Sequence, residues 1–133
     1  VIGIRPERYS YNLVKDAGEY VLNIPSAELI EGTVFAGSKS GRDYDKFTEC
    51  GFTPIPASKI KASMIKECPI NIECKTREIV PLGAHDLFIA EVVTAHIDES
   101  VLDEKGRFDA SKTTLFTYLP LNGQYWTLGK KLR

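Results

Sequence analysis

The 133 residues suffice for one domain with a buried core, and 43% hydrophobic with 26% charged residues is an ordinary globular balance. A formal net charge of −1 supplies no general attraction to nucleic acid or to an anionic membrane, so neither is expected as a partner. No apolar run approaches the roughly 20 residues of a membrane span, no signal peptide is visible, and Cys50, Cys68 and Cys74 lack close metal-ligand spacing, which points to reduced packing thiols in a cytoplasm and away from a structural zinc site.

Residues 1–5 read as a strand ending at Pro6. The chain opens on Val1-Ile2-Gly3-Ile4, without methionine and in mid-strand, so the expectation is a fragment: a domain over 1–133 that is incomplete at its N-terminus. Ser10 is then a plausible N-cap, with Tyr11 and Val14 on one helix face and Gly18 as the stop. Residues 19–24 alternate as a strand, Tyr20, Leu22 and Ile24 on one side. Ser26 is the expected N-cap of a second helix carrying Leu29, Ile30, Thr33 and Val34, which ends at Gly37.

The stretch from Gly37 to Phe47, GSKSGRDYDKF, draws attention chemically. Gly37 and Gly41 permit positive φ and leave N–H groups uncovered, Ser38 and Ser40 offer hydroxyls, and Lys39 and Arg42 offer charge. These are the parts of an anion-binding nest feeding a helix start. The plainer alternative is an ordinary capped helix: Asp43 as N-cap and Asp45 in the first turn satisfy that end without a ligand. This third helix runs over 43–50 and closes at Gly51.

Pro54 and Pro56 keep 52–61 from forming a long regular element. Residues 70–80 alternate as a strand, with Ile70, Ile72, Cys74 and Thr76 opposite Asn71, Glu73, Lys75 and Arg77. Residues 81–85 turn, and 86–97 form a second long strand that is apolar on both faces. The two read as a hairpin covered on both sides, as in a small barrel or a dimer interface. Residues 103–107 are a polar turn, 114–128 an aromatic-rich stretch with Phe116, Tyr118, Tyr125 and Trp126, and 130–133 a basic end.

Side-chain chemistry is sparse. Arg5 and Arg8 follow a strand end, where a barrel loop can reach a ligand or merely carry surface charge. His85, in a turn before a buried strand, can serve as a partly exposed proton donor or a structural hydrogen-bonding group. His96 reads as packed or solvent-facing. Tyr118, Tyr125 and Trp126 can stack on a flat heterocycle or on each other. There is no nucleophile elbow, no Walker arrangement, and no carboxylate pair with an acid–base assignment, Asp103 and Glu104 lying in a solvated turn. Chemistry would therefore come from a bound cofactor.

Taken together, Ile4-Arg5-Pro6-Glu7-Arg8-Tyr9-Ser10-Tyr11, Tyr20-Val21-Leu22-Asn23-Ile24-Pro25, Ser40-Gly41-Arg42-Asp43-Tyr44-Asp45-Lys46-Phe47, Glu67-Cys68-Pro69 and Gly83-Ala84-His85-Asp86-Leu87-Phe88-Ile89-Ala90-Glu91-Val92 resemble the flavin reductase-like, FMN-binding split-barrel family, its flavoredoxin branch in particular. Val101 to Arg107 and Tyr125 to Gly129 extend the likeness over nearly the whole chain. The resemblance implies a mainly β fold with peripheral helices, a split β-barrel of the FMN-binding type. It also implies a homodimer and a non-covalent FMN whose phosphate and ribityl chain are cradled by Arg5, Arg8, Tyr9, Ser10, Ser38, Lys39, Ser40, Gly41 and Arg42. His85 would be the catalytic residue near the redox face, matching the histidine of the family's Gly-Asp-His motif. Ala84 and Ala90 stand where that motif has its aspartate and a later glycine, which sets NADH or NADPH as direct donor against electron delivery by a redox protein partner. The family also has an N-terminal strand and loop against the flavin ring, to which nothing here corresponds. Three readings follow: a flavin reductase, a flavoredoxin-like electron carrier without a nicotinamide site, and a flavin-free barrel mediating binding or assembly.

Overall fold

The computed structural model describes all residues from 1 to 133. Its frame is a four-stranded antiparallel sheet of order β1-β6-β5-β2, built from β1 (Ile2–Ile4), β2 (Glu19–Ile24), β5 (Ile70–Pro81) and β6 (Asp86–Ile97). The long β5–β6 hairpin is the spine, as its alternating sequence requires. Its register shifts between Glu73 and Cys74 and again between Thr76 and Glu78, two irregularities that a run of alternating residues does not announce. Each adds twist and curls the sheet around its core face.

That face gathers Tyr11, Tyr20, Cys74 and Phe88, with Ile2, Ile4, Val14, Leu22, Ile72, Ile79 and Ala90 packed around them. Tyr11 comes from α1 (Tyr9–Ala17), which lies across the sheet and stacks its ring edge-on against Phe88 at 5.5 Å between centroids. Gly18 ends α1 in the left-handed conformation, as expected. The N-cap, however, is Arg8 and not Ser10, which falls within the first turn. Arg8 N–H donates to the Arg5 carbonyl, so a turn over residues 5–8 starts the helix two residues early.

The second helical segment also differs from expectation. Ser26 stands at the N-cap of a short 3-10 turn (Ala27–Leu29) that runs into α2 (Ile30–Ser38). Gly37 lies inside α2 and does not end it, and neither Gly37 nor Gly41 adopts positive φ. The nest geometry expected from those glycines is therefore absent. The next helix, α3 (Lys46–Cys50), is capped by Asp45, whose carboxylate accepts the Phe47 N–H, and not by Asp43. The Asp43 and Tyr44 N–H groups are taken by the Ser40 carbonyl in a turn that fills residues 40–44.

Residues 52–66 contain a small strand pair, β3 (Pro54–Pro56) with β4 (Ser63–Ile65), which the prolines confine to three residues each. This arm lies on the second face of the β5–β6 hairpin and hides an unexpected group. Glu73, on the polar side of β5, is fully buried. Its carboxylate accepts Ser58 N–H (2.7 Å), Ser58 Oγ–H (2.9 Å) and Lys59 N–H (2.8 Å) and meets His96 Nε2 at 2.7 Å. Burial works against the charge, but these contacts outweigh it and hold the carboxyl down at about 2. The hairpin is thus covered on both faces around Glu73 and open from the next pair on, where Val92, opposite Cys74, is exposed.

The aromatic stretch folds as a separate ribbon, β7 (Phe116–Leu119) with β8 (Gln124–Thr127), turning at Gly123. Tyr125 packs against Phe116 and Tyr118, while Tyr118 and Trp126 remain largely exposed. Cys68 and Cys74 are buried, and burial pushes the Cys68 thiol up to about 11, so they pack and do not react. No helix is long and apolar enough to cross a membrane.

Candidate flavin-binding site

The two segments singled out by sequence, 5–10 and 38–42, meet in the structure. The contact is Tyr9. A Cβ on Gly41 would stand 3.1 Å from Tyr9 Cδ1 and 3.3 Å from Cε1, so the glycine is there because the ring lies against its backbone. The Arg42 guanidinium sits over the same ring, 5.6 Å from its centroid. Tyr9 thereby couples the start of α1 to the loop after α2.

Each side contributes donors. Tyr9 and Ser10 occupy the first turn of α1, and no side chain caps that end. The N–H groups of these two residues find no acceptor within the protein, and no acidic residue stands in that turn. Across the contact, Lys39 leaves α2 in an extended conformation with its ammonium 5.9 Å from the Tyr44 ring centroid. Lys39, Arg42 and Arg8 belong to none of the ion pairs, whereas Arg5 is paired with Glu7 at 2.7 Å. Three cations without a carboxylate partner, two free N–H groups and the Ser10 hydroxyl stand on the two segments that meet at Tyr9, and each is a group of the kind that binds phosphate.

Two of the serines are partly spent locally. Ser38 Oγ–H donates to the Phe35 carbonyl at 3.1 Å, and Ser40 Oγ accepts the Arg42 N–H at 3.2 Å. Ser40 shapes the loop, which gets its form from this turn instead of from glycine φ values. Lys46 donates to the Ala36 carbonyl near the end of α2, which fixes the loop's far side.

His85 lies across from the end of β1 that leads into α1. It closes the turn after β5, its carbonyl accepting the Leu82 N–H at 3.1 Å, with Gly83 at φ 87°. A Cβ on Gly3 would lie 3.9 Å from the His85 Cβ. Ile4 pairs with Asp86, so one step beyond that pair stand Arg5 on β1's side and His85 on β6's. The imidazole is exposed and makes no hydrogen bond within the chain. His85, Arg5 and the first turn of α1 thus share one end of the sheet. Tyr118, Tyr125 and Trp126 are in the separate ribbon, and His96 is engaged with Glu73.

One pair at the site escaped sequence reasoning. Tyr11 Oη–H donates to Asp86 Oδ2 at 2.6 Å, with both residues buried. The bond and burial both push the Tyr11 phenol up. Tyr11 looked like a core aromatic and Asp86 like the first residue of a strand. The one available signal was an acidic residue opening an otherwise apolar run.

Comparison with known proteins covers nearly the whole chain. A family model described as the flavin reductase like domain matches residues 1–125. An uncharacterised protein of Archaeoglobus fulgidus is 33% identical over 104 residues, 78% of this chain and 59% of that protein, so the chain spans well under two thirds of its relative's length. Flavoredoxin of Desulfovibrio vulgaris superposes with a TM-score of 0.91 at 29% identity, covering 98% of this chain and 69% of that one. The flavoredoxin of Methanosarcina acetivorans gives 0.91 at 26% identity, covering 99% and 69%. The curled sheet with its peripheral helices is accordingly a split β-barrel of the kind found in those flavoredoxins.

Proposed function

The chain belongs to the flavin reductase-like domain family, and from that premise we propose that it binds FMN non-covalently and serves a flavin-dependent oxidoreductase. The observation that carries this reading is the Tyr9–Gly41–Arg42 contact, which brings the start of α1 against the loop that carries Lys39 and Arg42. The donor chemistry fits the group. Arg42, Lys39 and Arg8 would neutralise the phosphate, Ser10 and the free N–H groups of α1's first turn would bond its oxygens, and Ser38, Ser40, Gly41 and Arg5 would line the ribityl path. FMN, when bound, supplies the ring that takes up and releases a hydride or electrons. The chain's own part is to hold that ring, keep the phosphate end neutralised, and offer the exposed His85 imidazole as a proton donor or acceptor at the redox face. NADH or NADPH would serve as electron donor.

A second reading is an electron carrier fed by a redox protein partner. It is favoured by Ala84 beside His85, and by the flavoredoxins among the similar structures. Steady NADH consumption with added FMN separates the two. A homodimer is the proposed assembly, supported by the exposed Tyr118, Leu119 and Trp126 of a ribbon that an isolated hairpin could not stabilise. Unpaired cysteines fit a reducing compartment such as the cytoplasm.

The test is an FMN titration of the Arg42→Ala, Lys39→Ala double variant. Charge-assisted contacts contribute roughly 1.5–3 kcal/mol each, so the variant should bind at least a hundredfold more weakly. Unchanged affinity would overturn the phosphate assignment. If FMN is taken up neither by this chain nor by one carrying its natural N-terminal segment, the flavin reading falls and a flavin-free binding or assembly domain replaces it.

A further inference from the structure

Between the two ends of the candidate site runs a single buried polar contact. Tyr11 sits one residue after the exposed start of α1, and Asp86 directly follows His85 and faces Ile4 across the ladder. The two are 75 residues apart in sequence, and the hydroxyl–carboxylate bond between them measures 2.6 Å. Asp86 has no other side-chain partner, no arginine or lysine neutralises it, and only 8% of its surface is exposed. Tyr11 is fixed from two further directions, by the edge of Phe88 and by Lys15 Nζ, 5.6 Å from its ring centroid. A carboxylate withdrawn from water against one hydroxyl is a demanding arrangement for packing alone, since an apolar pair would fill the same space without desolvation. What the bond adds is direction: it fixes the first turn of α1 relative to the residue next to His85.

We propose that the Tyr11–Asp86 hydrogen bond is the positioning contact of this site, holding the start of α1 and the His85 turn as one unit so that order at the phosphate end is transmitted to the redox end. Tyr11 and Asp86 touch neither phosphate nor ring in this scheme. They act through Tyr9, Ser10 and His85. The inference rests on the flavin reading for its purpose, while the coupling itself is a property of the chain.

Three variants test it. Tyr11→Phe keeps the ring against Phe88 and removes only the hydroxyl, Asp86→Ala removes the acceptor, and Asp86→Asn keeps an oxygen acceptor without the charge. Amide hydrogen exchange is followed on the FMN-free chain, and FMN affinity by titration. Tyr11→Phe and Asp86→Ala should each speed exchange at least tenfold at the Arg8 and Tyr11 amides and at the Leu82 amide together, leaving 19–24 and 70–76 within twofold of the unaltered protein. Both should weaken FMN about tenfold. Asp86→Asn should recover most of either loss, and the Tyr11→Phe, Asp86→Ala double variant should match the single variants instead of multiplying their effects. Uniform acceleration across the sheet, acceleration in one segment only, or no recovery in Asp86→Asn would overturn the proposal. Should Tyr11→Phe fail to fold, the contrast between Asp86→Asn and Asp86→Ala decides the matter. If the unaltered chain binds no FMN, with or without its natural N-terminal segment, the functional reading fails, and the exchange pattern still upholds or refutes the coupling.

Discussion

Glu73→Gln is the most informative stability variant in this protein. The carboxylate is fully buried and its four contacts lie between 2.7 and 2.9 Å, two of them from the backbone N–H groups of Ser58 and Lys59. Glutamine has nearly the same shape but carries one NH2 where the acid carries oxygen. If its remaining oxygen serves Ser58 and His96, the NH2 faces the Lys59 N–H, donor against donor. One charge-assisted bond is lost outright, and the others become neutral bonds of about half the strength. The expected loss is about 2–4 kcal/mol, a large share of a total in the range of roughly 5–15 kcal/mol. At this chain length that corresponds to a melting temperature lower by about 6–12 °C. The acid side gives a sharper test. The folded carboxyl at about 2 lies below its unfolded value of about 4.5, so its contribution is fully present above pH 4.5 and disappears as pH falls from there to about 2. Urea unfolding at pH 7 and at pH 3 should show the gap between the parent and Glu73→Gln narrowing at the lower pH. An equal gap at both pH values, or a loss at pH 7 under about 1 kcal/mol, would refute the view that the ionised carboxylate pins the arm.

Phe88→Ala, which empties the fully buried centre of the core, should destabilise by about 3–5 kcal/mol in urea titration. Gly32→Ala would place a methyl 2.6 Å from the Phe52 ring and 3.2 Å from Cys50 Cβ, an overpacking worth about 1–3 kcal/mol by thermal denaturation. Gly41→Ala pushes on the Tyr9 ring at 3.1 Å, and because Arg42 rests on that ring it should weaken FMN several-fold by titration with little change in melting temperature.

Much of the frame was legible locally. The β5–β6 hairpin, β2, and the Gly18 and Gly51 stops each follow from period and backbone freedom within a few residues. Errors arose where two local signals competed. Asp43 and Asp45 are equally good caps, and the Ser40 carbonyl decided between them by taking the Asp43 N–H. Gly37 looked like a stop, yet nothing after it demanded positive φ and α2 ran on for another residue. The candidate site was legible as two cationic segments, but their meeting at Tyr9 depends on the tertiary fold. Glu73 and Asp86 were invisible as buried acids for the same reason, their partners lying 14 to 75 residues away.

The two borders of the main sheet are finished differently. Beyond β2, Glu19 takes the Lys61 N–H and Asn23 the Ile65 N–H, so the β3–β4 arm is stitched along that side. The other border is β1, hydrogen-bonded to β6 along Ile2–Ile4. A strand arriving at β2 meets the arm instead of free backbone, so strand addition on that side is blocked and cannot carry the sheet on into a filament.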